Sequence, residues 1–243
     1  MTLNVPVAGP EELLRFSFVQ GDETIECVSS EPRRPAGRTA VLLHGAGTAS
    51  TERLLPLAAD LAAAGARTVA LDFAGHGRSS GRLDRQSLEK RHAQAAELIR
   101  RFVDPDDELV LVGFSMSGQT VADLLGDLAD RVTHLCLCAP AAYAADAWRV
   151  PFGDGFTELI RRPGSWRESE AFGAYAAFRG RSVLMVPGHD AVIPEGVTAG
   201  LREALRARED LTEIVLHGAS HQIGLALAQR GDTRRMLAAL LAS

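Results

Sequence analysis

Leu109-Val-Leu-Val-Gly113-Phe114-Ser115-Met116-Ser117-Gly118-Gln119 is the stretch whose reading decides the fold. An apolar run ends at a glycine, a serine stands two residues on, and a helix-like segment follows. This is the pattern of a strand that turns sharply into a helix and lifts one hydroxyl above the sheet. The turn is crowded, so the residues two before and two after the serine must be small. Gly113 meets that demand, and Ser117 meets it with one oxygen more than the expected glycine. Ser117 as the raised serine would have Ser115 and Gln119 at those offsets, and a glutamine does not fit. Ser115 is therefore the candidate nucleophile.

Working outward, apolar runs recur with helical segments between them. Thr39–His44, Thr68–Asp72, Leu109–Val112, Val132–Cys138, Ser182–Val186 and Thr212–Leu216 read as strands, the first five continuous enough to be buried on both faces. Leu14–Gln20 and Thr24–Val28 alternate around Gly21-Asp22 and read as a hairpin. Helices are expected over Leu54–Ala64, Leu88–Val103, Val121–Leu128, Gly196–Arg208 and Thr233–Leu241. Such alternation implies a mainly parallel eight-stranded sheet flanked by helices, with the hairpin as its antiparallel edge. Residues 141–180 break the rhythm and hold 8 of the 13 aromatic residues, so they read as a short cap insertion roofing a pocket.

Length and composition fit one soluble α/β domain over residues 1–243. The net charge of −5 gives no electrostatic footprint for nucleic acid or an anionic membrane. Met1–Pro10 lacks the basic and apolar regions of a secretory leader, and no apolar run reaches the ~18 residues of a membrane span. Cys136 and Cys138 share one strand face and read as small buried hydrophobes, which fits a reducing cytoplasm.

A serine needs a base, and the base needs an orienting acid. Asp190 follows a strand in Gly188-His-Asp190-Ala-Val-Ile-Pro194, and His221 follows the last strand in Gly218-Ala-Ser-His221. The chain order Ser115, Asp190, His221 is the one in which a doubly wound sheet delivers such groups at its C-terminal edge. Glu195 is the rival acid, but it stands at a helix start, where the dipole favours an acid anyway. No histidines or acids have metal-ligand spacing, and the glycines spell no phosphate-binding loop, so no metal, cofactor or nucleotide is expected.

With His44-Gly45-Ala46-Gly47 and Asp72-Phe-Ala-Gly75-His76-Gly77-Arg78-Ser79 added, the chain resembles the α/β-hydrolase superfamily. It is closest to the serine-hydrolase branch of monoacylglycerol-lipase-like and dienelactone-hydrolase-like proteins. The resemblance runs from the third strand to the last, with Ser117 as its departure. It implies that Ser115 attacks an acyl carbonyl, His221 takes the proton and Asp190 holds the imidazole. It further implies an oxyanion hole from the N–H groups of Ala46 and Met116, a structural His76, and a His44 that shapes the oxyanion loop. The expected reaction is hydrolysis of a carboxylic ester or thioester with a small, largely apolar acyl group. The alternative is a non-hydrolytic cyclase, lyase or acyl transferase on the same fold. A peptidase is disfavoured because no acidic cluster stands out in the insertion. Trp148, Phe152, Phe156, Trp166 and Phe172 are the candidate substrate-binding residues. The Ser117 hydroxyl is expected to pack against a neighbouring strand, the other reading being a hydrogen bond near His221 or the oxyanion loop.

Overall fold

The computed structural model describes residues 13–207 and 210–243. The expectation of no leader at Met1–Pro10, and the expected helix end at Arg208, lie outside these residues. Eight strands form one sheet: β1 (Leu13–Gln20), β2 (Glu23–Ser30), β3 (Arg38–Leu43), β4 (Arg67–Leu71), β5 (Glu108–Phe114), β6 (Val132–Cys138), β7 (Arg181–Pro187) and β8 (Leu211–Leu216). Their order across the sheet is β1-β2-β4-β3-β5-β6-β7-β8. β2 runs antiparallel to both β1 and β4, and every other pairing is parallel. The antiparallel character of the hairpin therefore resides in β2 alone, since β1 points the same way as the body.

Alternate residues of the central strands feed two cores, as the pleat requires. Val41, Leu43, Leu109, Leu111, Leu135 and Leu137 face one side. There they meet α2 (Leu88–Phe102), α3 (Ser117–Leu128), α5 (Ala171–Ala177) and α6 (Glu195–Arg206). Ala40, Leu42, Val110, Val112, Cys136 and Cys138 face the other side, against α1 (Leu55–Ala63), α7 (Ile223–Gln229) and α8 (Gly231–Ala242). Both faces are covered, so β3 and β5–β7 are buried along most of their length, while the edge strands β1 and β8 are not. Cys27, Cys136 and Cys138 are free and buried.

α3 starts at Ser117, directly after the turn as the helix-like segment there implies, in spite of a poor helix-forming first turn, Ser-Gly-Gln-Thr. One helix differs from the sequence reading. α7 was not expected, since its seven residues include Gly224 and leave no room for an amphipathic repeat.

In the segment between β6 and β7, α5 packs against α3 and α6, and the Tyr175 hydroxyl donates to the Gly118 carbonyl. The residues before α5 include the short α4 (Phe156–Ile160) and form a small core of their own with Leu88 and Met116. They are hydrogen-bonded to the loop before α2 through Phe152 N–H to Gln86 O (2.8 Å) and Gly153 N–H to Asp84 O (2.9 Å). Buried Gln119 fastens both ends: its Oε1 accepts from Tyr143 N–H (2.9 Å) and from Ser169 Oγ (3.0 Å). This roof is tied to the body at several points, and the C-terminal ends of the strands open beneath it.

Candidate active site

The turn from β5 into α3 has no room for side chains. A Cβ on Gly113 would stand 2.7 Å from the Ser117 carbonyl oxygen, and one on Gly118 would stand 2.6 Å from Pro140 Cβ. Ser115 adopts φ +51°, the left-handed region, at a cost on the order of 1–3 kcal/mol. Hydrogen bonds hold it there: Ser115 N–H to Cys138 O (2.9 Å), and Gly118 N–H (2.8 Å) and Ala141 N–H (2.9 Å) to Ser115 O.

The structure brings Ser115, His221 and Asp190 together from three loops. Ser115 Oγ lies 2.9 Å from His221 Nε2, and His221 Nδ1 lies 3.0 Å from Asp190 Oδ2. A carboxylate only accepts, so Nδ1 carries the proton and Nε2 is left to accept from the serine hydroxyl. The other carboxylate oxygen, Asp190 Oδ1, accepts from the N–H groups of Val192 (2.9 Å) and Ile193 (3.0 Å), which fixes its rotamer. Glu195 lies in the first turn of α6, away from this chain of bonds.

The loop after β3 passes directly over the turn. His44 is buried, and its ring bridges two backbone segments: Phe73 N–H donates to Nε2 (3.0 Å), and Nδ1 donates to Gly45 O (2.6 Å). Burial and the nearby Arg91 charge push its pKa well below the ordinary histidine value, so the ring is neutral, as these two bonds require. The Gly45–Ala46 peptide is planar and trans, so holding its carbonyl toward His44 turns the Ala46 N–H the opposite way. Ala46 and Met116 both border the cavity over Ser115, and neither N–H has an acceptor among the described residues. His76 is buried beside His44, with ring centroids 4.9 Å apart. Asp72 shapes the His76 loop by accepting from Arg78 N–H (2.8 Å) and Thr51 N–H (2.7 Å).

The Ser117 hydroxyl does not merely pack. It donates to His44 O (2.6 Å) and accepts from Arg91 Nη2 (2.9 Å), which corrects the expectation of a packing role. The reason is Arg91, a buried cation that the sequence reading overlooked. Its signal was its place on the apolar stripe of α2, between Leu88 and Ala95, where an arginine is out of character.

A cavity of about 440 Å³ opens over Ser115, walled by Tyr143, Phe152, Phe156, Ile160, Ile193 and Leu225 among others. Of the five aromatic candidates, Phe152 and Phe156 line it, edge to face with centroids 4.7 Å apart. Trp148, Trp166 and Phe172 do not, and the expectation is corrected for these three. Trp148 packs on His92 at 5.5 Å and borders a separate hollow with Gln119 and Asp123. Trp166 and Phe172 meet at 5.9 Å and lie on α6, where a Cβ at Gly196 or Gly200 would strike their rings at 2.4 and 2.8 Å. Tyr143, Ile160 and Leu225 were missed because only the fold of the roof and of α7 places them here.

Among the described residues no group of three or more His, Cys, Asp or Glu is arranged to hold a metal ion. None of their helices is long and apolar enough to cross a membrane.

The family model described as "Serine aminopeptidase, S33" matches residues 34–164, more than half of the chain. The chain belongs to this serine aminopeptidase hydrolase family. It is also 35% identical, over 126 residues, to the dihydrolipoyllysine-residue acetyltransferase component of the acetoin cleaving system of Cupriavidus necator. That match takes in 51% of this chain and 32% of the relative, so this family member spans about a third of that protein's length. Among solved structures, a predicted CIB-like hydrolase from Thermoplasma acidophilum superposes with a TM-score of 0.72 at 16% identity, over 96% of this chain and 99% of that one. The thioesterase domain from the curacin biosynthetic pathway gives 0.71 at 17% identity, over 95% and 99%. Est1E from Butyrivibrio proteoclasticus gives 0.67 at 12%, over 92% and 96%. At these identities the likeness establishes the α/β-hydrolase fold.

Proposed function

We propose that this family member is an esterase or thioesterase that works through an acyl-enzyme on Ser115. The observation that carries the reading is the unbroken hydrogen-bonded chain Ser115–His221–Asp190 at the floor of an apolar cavity. Ser115 Oγ attacks the carbonyl carbon while its proton passes to His221 Nε2. Asp190 keeps the imidazole oriented and stabilises its charged form. Negative charge develops on the carbonyl oxygen as the C–O bond of the tetrahedral intermediate forms, and the Ala46 and Met116 N–H groups receive it. Removing one such donor costs roughly 10²–10³ in kcat in a serine protease where it has been measured. His221 then gives its proton to the leaving alcohol or thiol. Water activated by the same histidine releases the acid.

The walls are mostly apolar, Phe, Tyr, Ile and Leu among them, and the volume is modest, which supports a small apolar acyl group over a long one. The chain is expected to act on its small-molecule substrate unaided by a cofactor. The test is labelling by a fluorophosphonate probe together with turnover of p-nitrophenyl butyrate. Wild type should label and turn over, and Ser115→Ala should do neither. Equal labelling of both proteins would defeat the proposal. A comparable kcat/KM on an aminoacyl p-nitroanilide would replace the ester reading with the peptidase one that the family's description favours.

The name of the Cupriavidus necator relative favours a second reading, in which the acyl group passes to an acceptor other than water. Product analysis separates the two. Transferred acyl product without free acid would select it, and free acid in proportion to substrate consumed would reject it.

A further inference from the structure

A buried cation stands behind the oxyanion loop. Arg91 is 1% exposed, and its guanidinium lies 3.6 Å from the centroid of the Phe73 ring. One nitrogen, Nη2, uses its two hydrogens on His44 O (2.7 Å) and Ser117 Oγ (2.9 Å). Ser117 Oγ in turn donates to the same carbonyl (2.6 Å), so the three polar atoms close into a triangle. Among the described residues, Nε and Nη1 have no hydrogen-bond partner. Among the described residues no carboxylate pairs with the group, and its titratable neighbours His44, His76 and Tyr143 offer it no negative charge at neutral pH, the Tyr143 hydroxyl being pushed up to about 12 by burial. Burial draws the guanidinium down to about 9, which leaves it protonated at neutral pH. A buried charge without a partner is costly to keep, and a merely structural position would be filled more cheaply by an apolar side chain.

The triangle acts on one peptide. His44 O is clamped by two donors, and the His44 ring holds the next carbonyl, Gly45 O, so both peptide planes leading to the Ala46 N–H are fixed. Ser117 directly follows Met116, the residue with the other free N–H. Its hydroxyl thus ties the loop that carries one donor to the turn that carries the other. A glycine at 117 would remove the tie and leave one Nη2 hydrogen without an acceptor.

We propose that Ser117 and Arg91 are positioning residues for acyl transfer: they lock the two oxyanion donors into one rigid unit and set a fixed positive charge behind the point where the oxyanion forms. This rests on the Ser115 acyl-enzyme reading. Among the described residues the Arg91 charge has no counter-ion in the resting protein, and the tetrahedral intermediate supplies a negative one. Their contribution therefore belongs to the transition state and acts on kcat more than on KM.

The experiment compares wild type with Ser117→Ala, Ser117→Gly, Arg91→Lys and Arg91→Met on p-nitrophenyl butyrate. Inhibition by butylboronic acid, which forms a tetrahedral adduct on a nucleophilic serine, is measured alongside, and so is the melting temperature. Ser117→Ala and Ser117→Gly should keep KM within about twofold, lose about tenfold in kcat, and weaken the boronate by the same factor. Arg91→Lys, which retains the charge, should restore part of what Arg91→Met loses. Because Arg91→Met removes a buried group and can unfold the protein, the Ser117 variants decide the matter. Unchanged kcat and boronate affinity in both Ser117 variants overturn the positioning role while leaving the Ser115 reading intact. Wild type that is not labelled at Ser115 by a fluorophosphonate overturns the reading itself, and the positioning role falls with it.

Discussion

Gly45 crosses Ser115 so closely that a Cβ built on it would stand 3.1 Å from Ser115 Cβ and 3.3 Å from the Phe114 carbonyl oxygen. Both neighbours belong to the strained turn, which cannot retreat without losing its bonds to Cys138 and Ala141. The loop must give instead, by a few tenths of an ångström, and the Ala46 N–H moves with it. Gly45→Ala should therefore cost about tenfold in kcat, given that a misplacement of about 1 Å can cost 10². Steady-state kinetics checks this. A variant with wild-type kcat would show that the loop position does not matter to the reaction.

Trp166 and Phe172 present the opposite case, aromatics that hold the roof segment against α6 without reaching the cavity. Trp166→Ala should lower stability by about 2 kcal/mol, below the roughly 3–5 kcal/mol of a fully buried aromatic ring because this ring is only half-buried. That corresponds to a fall of about 4–8 °C in Tm for a chain of this size. The kcat/KM for a short ester should stay within about threefold. A large kinetic loss with unchanged Tm would place Trp166 in the binding surface after all.

Phe156 should behave in the reverse manner, since it is buried, lines the cavity and meets Phe152 edge to face. Phe156→Ala removes a ring from a wall of a space of about 440 Å³. Wild type is expected to prefer p-nitrophenyl acetate or butyrate over decanoate. The variant should shift that preference toward longer chains by about tenfold in relative kcat/KM, within the range that a few methylenes in an apolar pocket command. A comparison of the acyl series in both proteins measures it, and an unshifted ratio would remove Phe156 from the acyl site.

These contrasts show which parts of the site the sequence could carry. The strands are legible because burial on two faces demands unbroken apolar runs, and Val110–Val112 or Leu135–Leu137 satisfy no other environment. Ser115, Asp190 and His221 are legible because the sheet delivers loop residues in a fixed order. The roof is not, because an aromatic ring is equally at home on α6 or over a cavity. Only the path of the chain between β6 and β7 decides which of Phe152 and Phe172 meets substrate. Arg91 is an intermediate case. Its misplacement on an apolar helix face is visible, but its partners, Ser117 and the His44 carbonyl, lie 26 and 47 residues away.

Buried His44 and half-buried Asp123 give stability opposite dependences on pH, and the signs separate them. His44 is held well below its ordinary value by burial and by the Arg91 charge. The unfolded chain takes up a proton there near pH 6.5 and the folded one does not. Stability from His44 is thus fully present above about pH 6.5 and is lost as pH falls below it, by up to about 1.4 kcal/mol per unit. Asp123 is pushed up to about 7 by burial, so between about pH 4 and 7 the folded state binds the extra proton. Its contribution grows as pH falls through 7 and is absent above it. Asp123→Asn keeps an acceptor for the Gln119 amide, which now donates to Asp123 Oδ1 at 2.8 Å, and removes the half-buried charge. The variant should be more stable than wild type at pH 8, by on the order of 1–3 kcal/mol, with the difference shrinking toward pH 4. Its acid limb should be steeper, because the histidine loss is no longer offset. Denaturant titrations at pH 8, 6.5 and 5 measure both slopes. A difference that is constant across that range would mean that Asp123 is ionised in the folded protein throughout.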